Sequence, residues 1–227
     1  MTDRPLSLPR KVIAGSNACK TRLHDESGQI VSLDRLLRNG GKAAWSWLMV
    51  KLFDKRAPFP WISYDAQAVI ERFLSCDKTV LEFGSGMSTA WYARHAGQVV
   101  AIESDPAWFA SVAKQLADMG NVDLRHVEDR ERYISPQPER TFDLIVVDGL
   151  WRDDCAEFAI SHLAPGGIVY LDNSDRGVNP VDGNIARGRA LMIEYANEHG
   201  LPVRRFTDFV PGHLGATQGL MIGGPAV

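Results

Sequence analysis

What most limits the fold of this chain is a rhythm: short β-type runs at residues 79–83, 98–102, 122–127, 142–147 and 167–171 alternate with helical stretches. The helical stretches cover 88–95, 106–119, 151–162 and roughly 183–199, and Pro106 suits a first helical turn. Strands joined by helices of this length pair in parallel, because the helix carries the chain back along the sheet to start the next strand at the same end. The pattern predicts an α/β domain with a mostly parallel sheet and helices on both faces. The C-terminal part differs, since residues 203–206 and 219–222 are joined by a Gly- and Pro-containing loop in place of a helix. A terminal antiparallel hairpin is expected there.

Upstream of the rhythm the sequence is of another kind. Residues 1–30 mix Pro, Gly, Ser and charges without a sustained period, as in an arm. Leu33, Leu36 and Leu37, then Trp45, Leu48, Met49 and Leu52, fall at helical spacings, and Gly40-Gly41 between them predicts two separate helices. Residues 57–63 form a Pro-punctuated connector whose last residue, Ser63, can cap a helix over 64–74. The division expected is an N-terminal arm and helical extension over 1–60 and one domain over 61–227.

Composition narrows the company such a domain keeps. With 45% hydrophobic and 23% charged residues the chain can pack one substantial core. A formal charge of -3 supplies no broad basic surface, so nucleic acid is not an expected partner. Cys19, Cys76 and Cys155 show neither pairing nor metal spacing, as befits reduced thiols and a cytoplasmic protein, and no leader or membrane span is legible. The most apolar segment, 43–53, is interrupted by Ser46 and Lys51. It suits a buried helix, a homodimer face or a surface-lying helix better than a span.

The loop after the first strand carries the chemistry. Phe83 is followed by Gly84-Ser85-Gly86 and then by a helix opened by Ser88 and Thr89. Glycines at such a turn let a ligand approach the backbone N–H groups at the helix start. A nicotinamide dinucleotide or an adenosyl amino acid could use it, and a tight strand–helix turn alone is the plainer reading. Thr89 stands where the dinucleotide fingerprint wants Gly or Ala, whereas Glu82 places an acid two residues before the first glycine.

The run Glu82-Phe83-Gly84-Ser85-Gly86-Met87-Ser88-Thr89 resembles the cofactor loop of class I S-adenosylmethionine-dependent methyltransferases, in a bacterial subgroup where Ser replaces the third glycine. The resemblance, over residues 61–222, implies a Rossmann-like seven-stranded sheet with its last strand antiparallel. It implies S-adenosylmethionine held by Glu82, Gly84, Ser85, Gly86, Ser88 and Thr89, with Glu103, at the end of the second strand, on the ribose hydroxyls. A carboxylate suits that role on chemistry alone, offering paired acceptors at the edge where open α/β sheets bind ligands. Asp129, after the third strand, would meet the adenine amino group, although Glu128 to Arg132 also reads as a solvated charge run.

The fourth strand ends in Asp148 and the fifth in Asp172-Asn173. Adjacent parallel strands would bring the three together as oxygen donors for a hard divalent cation such as Mg. That set resembles the Asp…Asp-Asn triad of the catechol-type O-methyltransferases, where the ion acidifies the attacking hydroxyl. The lysine near that site in such enzymes is not evident, so Arg152 or Arg176 would have to substitute. Asp172-Asn173 could equally cap its own turn. Asp148 is expected near the transfer centre, also touching the cofactor, and His213 of the hairpin loop is a candidate general base. Trp151 could wall the pocket, and His95, His126, His162 and His199 read as structural. The expected activity is methylation of a small-molecule hydroxyl. An aminopropyltransferase-like enzyme and a non-catalytic interaction protein on the same fold are the rivals.

Overall fold

The computed structural model describes residues 19–53, 59–137 and 139–225. Residues 1–18 of the expected arm and 54–58, which include the start of the connector, lie outside the described residues. The parallel strands are β1 (Thr79–Phe83), β2 (Gln98–Glu103), β3 (Val122–His126), β4 (Phe142–Val147) and β5 (Leu163–Leu171). A two-stranded ribbon follows, β6 (Val178–Asn179) and β7 (Gly183–Asn184), and the chain ends on the hairpin β8 (Val203–Phe209) and β9 (Ala216–Gly223). The helices are α1 (Leu33–Phe53), α2 (Tyr64–Phe73), α3 (Met87–His95), α4 (Pro106–Gln115), α5 (Arg130–Ile134), α6 (Arg152–Ser161) and α7 (Ile185–Glu198).

Seven strands form one sheet in the order β3-β2-β1-β4-β5-β9-β8, parallel except where β9 runs against β5 and β8. This is the expected α/β, Rossmann-like sheet with its C-terminal antiparallel hairpin. Alternate side chains of the central strands are buried on opposite faces, as the pleat requires. Leu81, Phe83, Ile145, Val147 and Val169 pack with Phe158 of α6 and Met192 of α7. Val80, Val99, Leu144, Val146 and Ile168 pack with Ile70 of α2 and Tyr92 of α3. With both faces covered, the ligand-accessible edge is the one where β1, β2, β4 and β5 end, between β1 and β4, where the strand order reverses.

The extension is built into this body. A single helix, α1, runs straight through Gly40-Gly41, correcting the expected break into two. Asn39 and Ala43 are its buried residues, and Asn39 Nδ2 donates to Asp208 Oδ2 of β8 at 2.8 Å. Arg35 Nε donates to Asp65 of α2 at 2.8 Å. These anchors offset the roughly 1 kcal/mol that each mid-helix glycine costs. Ahead of α1, Asp25 is buried and accepts from Thr207 Oγ1 at 2.7 Å and Gln218 Nε2 at 2.9 Å, so the described end of the arm is docked on the hairpin.

Candidate active site

The turn after β1 is held from below and from both sides. Glu82, buried in the strand, accepts hydrogen bonds from the Ser88 hydroxyl and from Thr89 Oγ1, the latter at 2.6 Å. Thr89 Oγ1 in turn accepts from the Gly86 N–H at 3.0 Å, closing the cap of α3. Burial, only partly opposed by the two hydroxyls, pushes the Glu82 pKa up to about 8. Gly84 has φ +90°, and a Cβ there would stand 2.8 Å from the Gly149 Cα, so the turn after β1 touches the turn after β4 through backbone alone. At Gly86 a Cβ would meet nothing nearer than 3.7 Å, which leaves the backbone open to the cavity.

Glu103 ends β2 beside this loop. One of its oxygens accepts from the Ser85 N–H and hydroxyl at 3.1 and 3.0 Å, the other from the N–H groups of Ser104 and Asp105 at 2.8 and 2.9 Å. Of the four donors only the Ser85 hydroxyl can rotate away, so a diol reaching Glu103 would take its place. The indole of Trp108 in α4 donates to the Ser85 carbonyl at 2.7 Å. Together these residues wall a cavity of about 320 Å³, a volume in the range of small-molecule sites. Gly84, Ser85, Gly86, Ser88, Glu103 and Asp148 all line it.

Other expected site residues lie elsewhere. Glu82 and Thr89 sit beneath the loop as its support. Asp129 caps α5, accepting from the Arg132 N–H at 3.0 Å, and does not line the cavity. Trp151 turns its edge to Tyr133 at 5.3 Å and packs on the core. The aromatic walls are instead Trp61, Trp108 and Tyr133, none of which the motif spacing singled out. They come from a connector and two helices, whose facing is set only by packing. His162 and His199 stack on Phe158 and Tyr195, while His95 and His126 lie tilted against Trp91 and Phe109.

Asp148, Asp172 and Asn173 do converge, but around a side chain. Arg152, buried at the start of α6, places Nη2 3.0 Å from Asp148 Oδ1, while its Nη1 donates to Asn173 Oδ1 at 3.2 Å and to the Asp172 carbonyl at 2.9 Å. Burial works against the guanidinium charge, yet Asp148 and Asp172 outweigh it and raise the arginine pKa, so the cation stays. Burial and the neighbouring Asp148 push Asp172 well above the usual carboxylate range. Burial raises Asp148 as well, against the pull of Arg152, with its side chain 35% exposed. A divalent ion does not fit this set as arranged, because Asp148 Oδ1 and Asn173 Oδ1 already serve the guanidinium, a fixed positive charge where the ion would stand. Among the described residues no group of three or more His, Cys, Asp or Glu is placed to hold a metal.

A second cavity of about 370 Å³ adjoins Asn173 and is lined by Arg22, His24, Asp175, Arg176 and His213 among others. His213 therefore does not share the cavity of Asp148; its Nδ1 accepts from the Gly215 N–H at 3.0 Å.

No family model and no curated protein matches the chain. Solved structures do. The O-methyltransferase from Bacillus cereus, in complex with S-adenosylhomocysteine, aligns with a TM-score of 0.59 and 17% identity over 82% of this chain and 99% of that one. The fold is that of the Rossmann-like methyltransferases. The O-methyltransferase TomG from Streptomyces achromogenes, in complex with S-adenosylmethionine, aligns at 0.54 with 20% identity over 85% and 96%. An rRNA methylase from Streptococcus thermophilus aligns at 0.52 with 12% identity over 72% and 96%. The methyltransferase fold thus serves small-molecule and RNA enzymes alike, and does not select an acceptor. Among the described residues no helix is long and apolar enough to cross a membrane.

Proposed function

We propose that this chain binds S-adenosylmethionine in the cavity between the β1 and β4 turns and catalyses methyl transfer to a hydroxyl oxygen of a small molecule. The observation that carries the reading is the pairing of an open glycine loop with Glu103 in one cavity whose far wall is Asp148. Such a cofactor supplies a methyl group on a sulfonium, an electrophile that needs positioning and a deprotonated acceptor more than it needs activation. In this reading Glu103 accepts from the ribose diol in place of the Ser85 hydroxyl. Gly86 and Ser88 border the amino-acid end, Trp108 and Tyr133 offer aromatic walls, and Glu82 with Thr89 holds the loop in shape.

Asp148 would take the proton of the acceptor hydroxyl as that oxygen takes the methyl and the sulfonium–carbon bond breaks, with S-adenosylhomocysteine as the leaving group; burial, which raises the Asp148 pKa, makes it a stronger base than an exposed carboxylate. Arg152, locked by Asp148, Asn173 and three backbone carbonyls, supplies a fixed positive charge beside that oxygen. His213 lines the second cavity, on the far side of the Arg152–Asn173 contact, and takes no part in the transfer.

Titration calorimetry with S-adenosylmethionine tests the cofactor assignment. The wild type should bind, and Glu103→Ala should weaken binding at least about tenfold, as loss of hydrogen bonds to a charged group implies. Equal affinities in the two proteins, with Glu103→Ala folded by circular dichroism, would sink the reading.

A further inference from the structure

We propose that α1 pairs antiparallel with α1 of a second copy of this chain, about a two-fold axis passing between Gly41 and Ala44. The side of α1 opposite Asn39 and Ala43 carries Leu33 (70% exposed), Leu37 (76%), Trp45 (65%), Leu48 (37%) and Leu52 (64%). At 100° per residue these five fall within an arc of about 120°, one continuous stripe along the whole helix. They leave on the order of 600 Å² of side-chain surface in water, at the limit of what a monomer shows and near the ~800 Å² per partner of a specific interface.

The stripe is complementary to itself. The proposed axis sets Gly41 against Ala44 of the second copy, Leu37 against Leu48 and Leu33 against Leu52. Small residues then meet where two helices come closest, and leucines fill the layers on either side. The same axis brings Asp34, in the first turn, to Lys51, in the last turn, so the ends match in charge as well as in dipole. Gly41 supplies an independent indication. A Cβ there would touch nothing within 4 Å, so the single chain gives no steric reason for a residue that weakens a helix. A second helix backbone lying over it does. A lipid surface is the poorer occupant, because the stripe is thinnest at its centre, where insertion would call for bulk, and has Asp34 at its margin.

Sedimentation equilibrium of the full chain tests the pairing. The wild type should be a dimer at concentrations up to about 100 μM. Leu37→Glu and Gly41→Leu should each raise the dissociation constant at least about tenfold. Both positions are exposed, so the far-UV circular dichroism of the dissociated variants should match that of the wild type. A monomeric wild type over this range would overturn the proposal, as would a dimer indifferent to both substitutions. Co-sedimentation of a monomeric wild type with phosphatidylserine vesicles would overturn it in favour of a membrane surface.

Discussion

Glu82 shows how much of a site's framework one buried residue can hold without lining the cavity itself. Its carboxyl is buried, bridged by two hydroxyls of α3, and shifted up to about 8 by burial. A folded-state pKa above the unfolded value contributes stability that is fully present below the unfolded pKa and is lost as pH rises through the folded one. For Glu82 that window runs from 4.5 to about 8. Glu82→Gln keeps an acceptor for one hydroxyl and a group that cannot ionise. Thermal denaturation as a function of pH should therefore show a shallower fall in Tm between these limits than the wild type, with the difference greatest at the alkaline end. Parallel profiles would mean that Glu82 ionises freely. The acid was legible in the sequence because it sits two residues before a glycine turn; its protonation was not, since that depends on helices packed from elsewhere in the chain.

Among the elements, the strands were the most legible and the helix faces the least. Short β-branched apolar runs such as Val99-Val100-Ala101-Ile102 read as strands covered on both sides, and their order of appearance places Glu103, Asp148 and Asp172 on one edge. Orientation of a helix is another matter. Nothing in the spacing of Trp108 and Tyr133 says which way they face, and tertiary packing brings both to the cavity wall. The β5 strand begins earlier than its apolar run, at Leu163, and carries Pro165-Gly166-Gly167 past a register shift between Phe142 and Leu144. For α1, two glycines outweighed the periodicity on either side, because the partner that holds the helix together, Asp208, lies 169 residues away. Asn39→Ala would leave the buried Asp208 carboxyl without its closest donor. A loss of about 1–3 kcal/mol is expected, read as a lower urea midpoint with faster amide exchange in α1 than in α2.

At the scale of the whole molecule, acidic side chains at the sheet edge are brought together around one buried cation, the guanidinium of Arg152. The sequence showed the three oxygen donors but not their occupant. Arg152 is four residues after Asp148, and only the first turn of α6 reveals that it folds back between the strand ends. Exhaustive chelation should thus leave both S-adenosylmethionine affinity and methyl transfer within about twofold of the untreated protein, measured by calorimetry and by S-adenosylhomocysteine release. Loss of transfer restored by added Mg would show that the arginine yields its place to an ion.

The contact between Gly84 and Gly149 joins these scales. Two loops, one facing the proposed cofactor and one leading from Asp148 toward the acceptor side, meet with no side chain between them. A side chain added to either glycine would press on the backbone of the other. Both glycines line the same cavity, so its shape at that point is set by the absence of two side chains.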